Sequence, residues 1–193
     1  GEPADWLVDG KSRRAEITLL EDKEIQMDNG LIRRSFVLSP NLACYDFTNR
    51  MTGEQMLRTV MPEARIILDG KTYQIGGLRG QDERGFFRKE WLDNMTSSQA
   101  DFQYQSFEIG EITPHFPTKT VFWTGHKKDA TGKKVSFSYS HPDFENLILK
   151  VHYELFDDLP LMGKYLTLVN TGKESIHINQ VVNEILGIVE EES

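Results

Sequence analysis

The chain has 193 residues, 38% hydrophobic and 27% charged, a balance that suits one globular domain with a single core. Its net charge of −8 lacks the basic footprint that phosphate-backbone binding requires, so nucleic acid is not an expected partner. No apolar run approaches the roughly 20 residues needed to span a bilayer, and the single cysteine, Cys44, excludes an internal disulfide and any cysteine-based zinc cluster.

The opening GEPADW has neither an initiator Met nor a signal-peptide pattern. It reads as a segment cut from a longer, exported (periplasmic or extracellular) chain whose leader has been removed. Beyond it the dominant texture is alternation of apolar and polar residues, the period-two pattern of half-buried strands. The first predicted strands are AEITLL (15–20), KEIQMD (23–28), LIRRSFVL (31–38), LACYDFT (42–48) and ARIILD (64–69). Within LACYDFT, Cys44 is read as a small buried hydrophobe. Asn29-Gly30 and Asp69-Gly70 tolerate the positive φ of tight hairpins. Only TGEQMLRTVM (52–61) has helix-like composition, with Thr52 as N-cap and Gln55 at the capping-box position.

Residues 76–99, GGLRGQDERGFFRKEWLDNMTSSQ, form the longest stretch without clear alternation. Two readings stand side by side: an irregular functional loop, or a long connector pinned to the sandwich by Phe86, Phe87 and Trp91. Under the first, Trp91 would stack on the apolar C–H face of a sugar while Arg88, Glu90, Asp93 and Asn94 bond its hydroxyls. Asn94-Met95-Thr96 is formally a glycosylation sequon.

Further strands are predicted at FQYQSFEIG (102–110), TKTVFWTG (118–125) and KKVSFSYS (133–140). Trp123 alternates with Val121 and is read as core. Leu147, Leu149, Val151, Tyr153 and Leu155 take one face of the next strand, with Lys150, His152 and Glu154 on the other. Met162, Lys164, Leu166 and Leu168 continue the pattern after a turn, and SIHINQVVNEILGIV (175–189) completes it. Ten or so strands with short links indicate an all-β antiparallel sandwich with at most one short helix, in a single domain covering 1–193.

Asp157 and Asp158 sit between two of these strands, where they could form a catalytic pair or a turn. Glycosidase carboxylates must flank the scissile bond roughly 5–10 Å apart, whereas neighbours along a strand point to opposite faces. With Pro160 behind them, the acids read as turn residues. The five histidines (115, 126, 141, 152 and 177) show no metal-binding spacing, and no GxSxG, P-loop or nucleotide-binding motif occurs. No cofactor and no metal is expected.

The run VHYELFDDLPLMGKYLTLVNTGKESIHINQVVNEIL resembles the N-terminal galactose-mutarotase-like β-supersandwich of bacterial α-galactosidases (melibiases, glycoside hydrolase family 36-like). The pieces DNGLIRRSF, NRMTGEQMLR, PEARIILDG and EWLDNM look like the same kind of domain. The resemblance covers about residues 25–190 and is most specific over 147–190. It implies a noncatalytic domain that precedes a (β/α)₈ barrel, with both catalytic aspartates in the barrel. The downstream catalytic domain of the same chain and galactose-containing glycans are then the expected partners, and no catalytic role passes to Asp157 or Asp158. Two alternatives stand beside it: an independent carbohydrate-binding module built on Trp91, and a mutarotase-type sugar epimerase. The epimerase needs a histidine acid and a glutamate base facing a pocket, and His152, His177, Glu154 and Glu184 match those positions by no motif.

Overall fold

In a computed structural model of the chain, residues 11–81, 87–112, 130–172, 178–181 and 184–187 are described. They form three antiparallel sheets. One has four strands in sequential order: β1 (Glu16–Leu20), β2 (Glu24–Asp28), β3 (Ile32–Val37) and β4 (Ala43–Asn49). A three-stranded sheet is built from β5 (Ala64–Leu68), β6 (Lys71–Ile75) and β11 (Ile178–Val181), in the order β11-β5-β6. The third contains β7 (Gln103–Glu111), β8 (Gly132–Ser140), β9 (Leu147–Phe156), β10 (Leu161–Asn170) and β12 (Glu184–Gly187), in the order β12-β10-β9-β8-β7. The all-β antiparallel sandwich expected from alternation is therefore the observed architecture. The one helical segment among the described residues is a 3₁₀ turn over Lys89–Asn94.

The alternating residues meet between the sheets. Leu149, Val151, Tyr153 and Leu155 on β9 are fully buried, as are Ile25, Met27, Ile32 and Phe36 from the four-stranded sheet. The Phe36 ring lies 5.1 Å from that of Phe137 and 4.9 Å from that of Tyr153, in tilted geometry. Such aromatic pairs join the four- and five-stranded sheets through more than buried area alone. A second aromatic group, Tyr73, Phe102, His141 and Phe144, packs the three-stranded sheet against the connections flanking β7 and β8.

Two local expectations are corrected. Residues 52–61 form no helix: Gly53 has a φ of +77°, outside the helical region, and the chain runs extended beside β4. Gln55 is not a capping residue there; its side-chain carbonyl accepts the backbone N–H groups of Phe47 and Leu57 at 2.9 and 3.0 Å. The run 175–189 is divided between two strands in different sheets, β11 pairing with β5 and β12 with β10. The face of β9 carrying His152 and Glu154 is buried at those positions. The strand expected at 118–125, with Trp123, lies outside the described residues, as do Phe86, His115, His126 and the side chain of His177.

The β9–β10 connection is a turn, and its acids anchor the chain before β1. Asp157 accepts from the backbone N–H of Ala15 at 2.7 Å, from Thr131 Oγ1 at 2.7 Å and from the Arg14 guanidinium at 3.0 Å. Asp158 accepts the Arg13 N–H at 2.6 Å and returns its own N–H to the Arg13 carbonyl at 2.8 Å. Asn29, in the β2–β3 turn, ties that turn to the same connection. Its amide nitrogen donates to the Phe156 and Leu159 carbonyls at 2.8 and 2.7 Å, and its oxygen accepts the N–H groups of Leu31 and Ile32 at 3.0 Å.

Candidate functional site

On the outer face of the four-stranded sheet, register sets a row of polar side chains. Gln26 on β2 faces Ser35 on β3, which faces Asp46 on β4, and Arg33 lies two residues before Ser35 on the same face. The β3–β4 ladder is irregular here: Phe36 pairs with Cys44 and Ser35 with Asp46, so Tyr45 is an extra residue. A bulge of this kind re-aims side chains, and it lets the consecutive residues Tyr45 and Asp46 both line one cavity of about 320 Å³. Gln55, Phe87 and Lys89 close its other side.

The bulge is held from the core. Glu63, 3% exposed, accepts the backbone N–H of Cys44 at 2.9 Å, and the Cys44 thiol donates to the Asp46 carbonyl at 3.4 Å. The Tyr153 hydroxyl donates to the second Glu63 oxygen, and Arg34 Nη2 stands 4.0 Å from it. The Arg34 guanidinium lies 4.8 Å from the Tyr153 ring centre and 5.1 Å from that of Phe47. Burial opposes charge on Arg34, but its polar neighbours, with the Glu63 carboxylate among them, outweigh it and hold the guanidinium protonated. Burial pushes the Cys44 thiol up to about 11, so it stays neutral.

Two ion pairs organise the cavity itself. Asp46 accepts from Arg33 Nε at 2.7 Å, Thr48 Oγ1 at 2.7 Å, Ser35 Oγ at 3.4 Å and the Gln55 amide. Burial raises the Asp46 carboxyl, yet the bonds from Arg33, Thr48 and Gln55 more than offset it and hold it below the usual carboxylate range. Next to it, Lys89 Nζ sits 2.8 Å from Glu24, to which the Tyr45 hydroxyl also donates. Burial also opposes ionisation of Glu24, and Lys89 with Tyr45 again reverses the balance, leaving it lowered. Burial and the neighbouring Glu24 push the Tyr45 phenol up to about 12. At neutral pH the cavity is therefore built from charged, mutually paired groups and a protonated phenol.

The sugar platform read from the sequence lies on the adjoining turn. Lys89–Asn94 form the 3₁₀ segment, with Arg88, Glu90, Asp93 and Asn94 exposed and Trp91 half-buried, its ring edge-on to Phe87 at 6.3 Å. Phe87 and Leu92 pack on Ala43, Val60, Leu78 and Met95, and Arg79 and Thr96 exchange backbone hydrogen bonds of 2.8 and 2.9 Å. The segment thus brings Phe87 and Lys89 to the cavity, while the five platform residues sit beside it. Arg33, Ser35, Tyr45, Asp46 and Gln55 escaped sequence reasoning. Alternation in LIRRSFVL placed Arg33 and Ser35 on one face, but nothing local marked the bulge that adds Tyr45.

His152 is engaged at both ring nitrogens, by Ser136 Oγ and Thr167 Oγ1 at 2.7 Å each, and its ring stacks on Tyr165 at 4.4 Å. No group of three or more His, Cys, Asp or Glu side chains gathers to hold a metal among the described residues. The chain matches no family model, and no curated protein is significantly similar to it.

Proposed function

We propose that the chain is a noncatalytic, galactose-mutarotase-like β-sandwich domain of an exported glycoside hydrolase that acts on galactosides. It supports the catalytic barrel, and its 76–99 segment helps shape the sugar pocket. The observation that carries this reading is the way residues 87–94 are held: apolar Phe87 and Leu92 are packed inward, while Arg88, Glu90, Asp93 and Asn94 are exposed on a short 3₁₀ turn. A polar turn held on a rigid sheet suits completion of a neighbour's site.

The carboxylates support a noncatalytic role. A glycosidase general acid needs a raised pKa, whereas Glu24, Asp46 and Asp157 are all held below their ordinary values by hydrogen-bonded partners. The engagement of both His152 nitrogens weighs against the epimerase alternative, which requires an imidazole free to reach a sugar oxygen. The test is incubation of the chain with an aryl α-galactoside: no phenol release beyond the spontaneous rate is expected, and enzymatic release overturns the proposal. Titration with galactose, read by heat and Trp fluorescence, separates the independent-module alternative.

A further inference from the structure

We propose that the cavity on the outer face of β2–β4 binds the carboxylate-bearing ring of an acidic sugar, a hexuronate, with Arg33 as its principal anchor. The inference follows from which hydrogen-bonding groups remain unused. Asp46 already accepts four donors, and Gln55 is engaged at both ends of its amide. The Tyr45 hydroxyl is given to Glu24, and Lys89 is shared between Glu24 and Tyr45. Among the described residues, Arg33 makes its side-chain bond through Nε alone. Among those same residues, its two terminal Nη groups and the amide of Gln26 make no hydrogen bond.

A fixed guanidinium with its outer fork open is the geometry that takes a carboxylate through two parallel N–H···O bonds. Asp46 grips Nε and so orients the fork without covering it. Arg33 is paired with Asp46 and Lys89 with Glu24, so the charges around the cavity balance, and the preference for a carboxylate rests on the open guanidinium fork. Phe87 supplies apolar wall for the C–H face of a pyranose, while the Tyr45 ring carries Lys89 Nζ 4.8 Å above its centre. The carboxylate preference follows from the cavity alone, while the sugar ring rests on the function proposed above.

Calorimetric titration of the whole chain with galacturonate, galactose and acetate tests this. Galacturonate is expected to bind at least about tenfold more tightly than either of the others, since only it uses both the fork and the wall. Binding should weaken as ionic strength rises. Arg33→Gln should lose about tenfold or more for galacturonate. Gln26→Ala removes no side-chain bond among the described residues, and it should also weaken binding while leaving the melting temperature unchanged. No galacturonate binding by the wild-type chain overturns the site. Equal affinity for galactose overturns the carboxylate assignment, and equal affinity for acetate overturns the sugar. Hydrolysis of an aryl galactoside would remove the noncatalytic reading without touching these outcomes, so the two proposals fail separately.

Discussion

Replacing Asn29 by Ala should be among the most damaging single changes to a polar side chain in this fold. Asn29 is 3% exposed and makes four hydrogen bonds, two accepted within its own turn and two donated to carbonyls of the β9–β10 connection. It therefore joins the β2–β3 turn of one sheet to the β9–β10 turn of another. Each of the four bonds contributes about 0.5–1.5 kcal/mol net, so their loss should cost about 3 kcal/mol or more. For a chain of this size that corresponds to a fall in Tm of about 6–12 °C. Urea unfolding followed by intrinsic fluorescence measures it directly, with the m-value expected to stay constant. Asn29→Asp provides the internal check. It keeps the two accepted bonds but turns a carboxylate on the Phe156 and Leu159 carbonyls, so it should also destabilise at neutral pH and recover in part on protonation. A loss under about 1 kcal/mol for Asn29→Ala would refute the idea that this side chain couples the two turns.

Two further outcomes follow from the buried titratable groups. Burial raises the Asp157 carboxyl, but the Ala15 N–H, Thr131 and Arg14 outweigh it and leave the folded-state pKa below the unfolded value of about 3.9. Its stabilisation is thus fully present above the unfolded pKa and disappears as pH falls through the lower folded value. Stability curves should show Asp157→Asn less stable than wild type at pH 7, with the gap closing below about pH 4; a gap independent of pH would contradict the ionised-acceptor role. Cys44, 3% exposed with its thiol pushed up to about 11, should resist iodoacetamide at pH 8 and react only across the urea transition. Rapid alkylation of the native chain would place Cys44 outside the core.

The legible part of the fold was the part written in side-chain period. Leu147, Leu149, Val151, Tyr153 and Leu155 fall on alternate positions, and β9 buries those side chains. Asp157 and Asp158 were separable from a catalytic pair because a strand cannot converge adjacent side chains, and their partners are backbone N–H groups close to β1. What escaped was set by contacts distant in sequence. Residues 52–61 carry helix-forming side chains, yet Gly53 at positive φ and the pairing of Gln55 with β4 override that propensity. The strand β6 was missed because KTYQI is short and buries only Tyr73 and Ile75, although the Asp69-Gly70 turn before it was evident. The cavity depends on one extra residue in β4, fixed by Glu63 from nineteen positions away. Such a bulge leaves no mark in period-two alternation.

The central claim is that this domain serves sugar chemistry without performing it. The most direct measurement is the rate of phenol release from an aryl α-galactoside incubated with the purified chain at neutral pH. The account predicts a rate indistinguishable from buffer, in keeping with the lowered carboxyls of Glu24, Asp46 and Asp157, which suit them poorly to act as a general acid. Release that scales with protein concentration and saturates with substrate would contradict it.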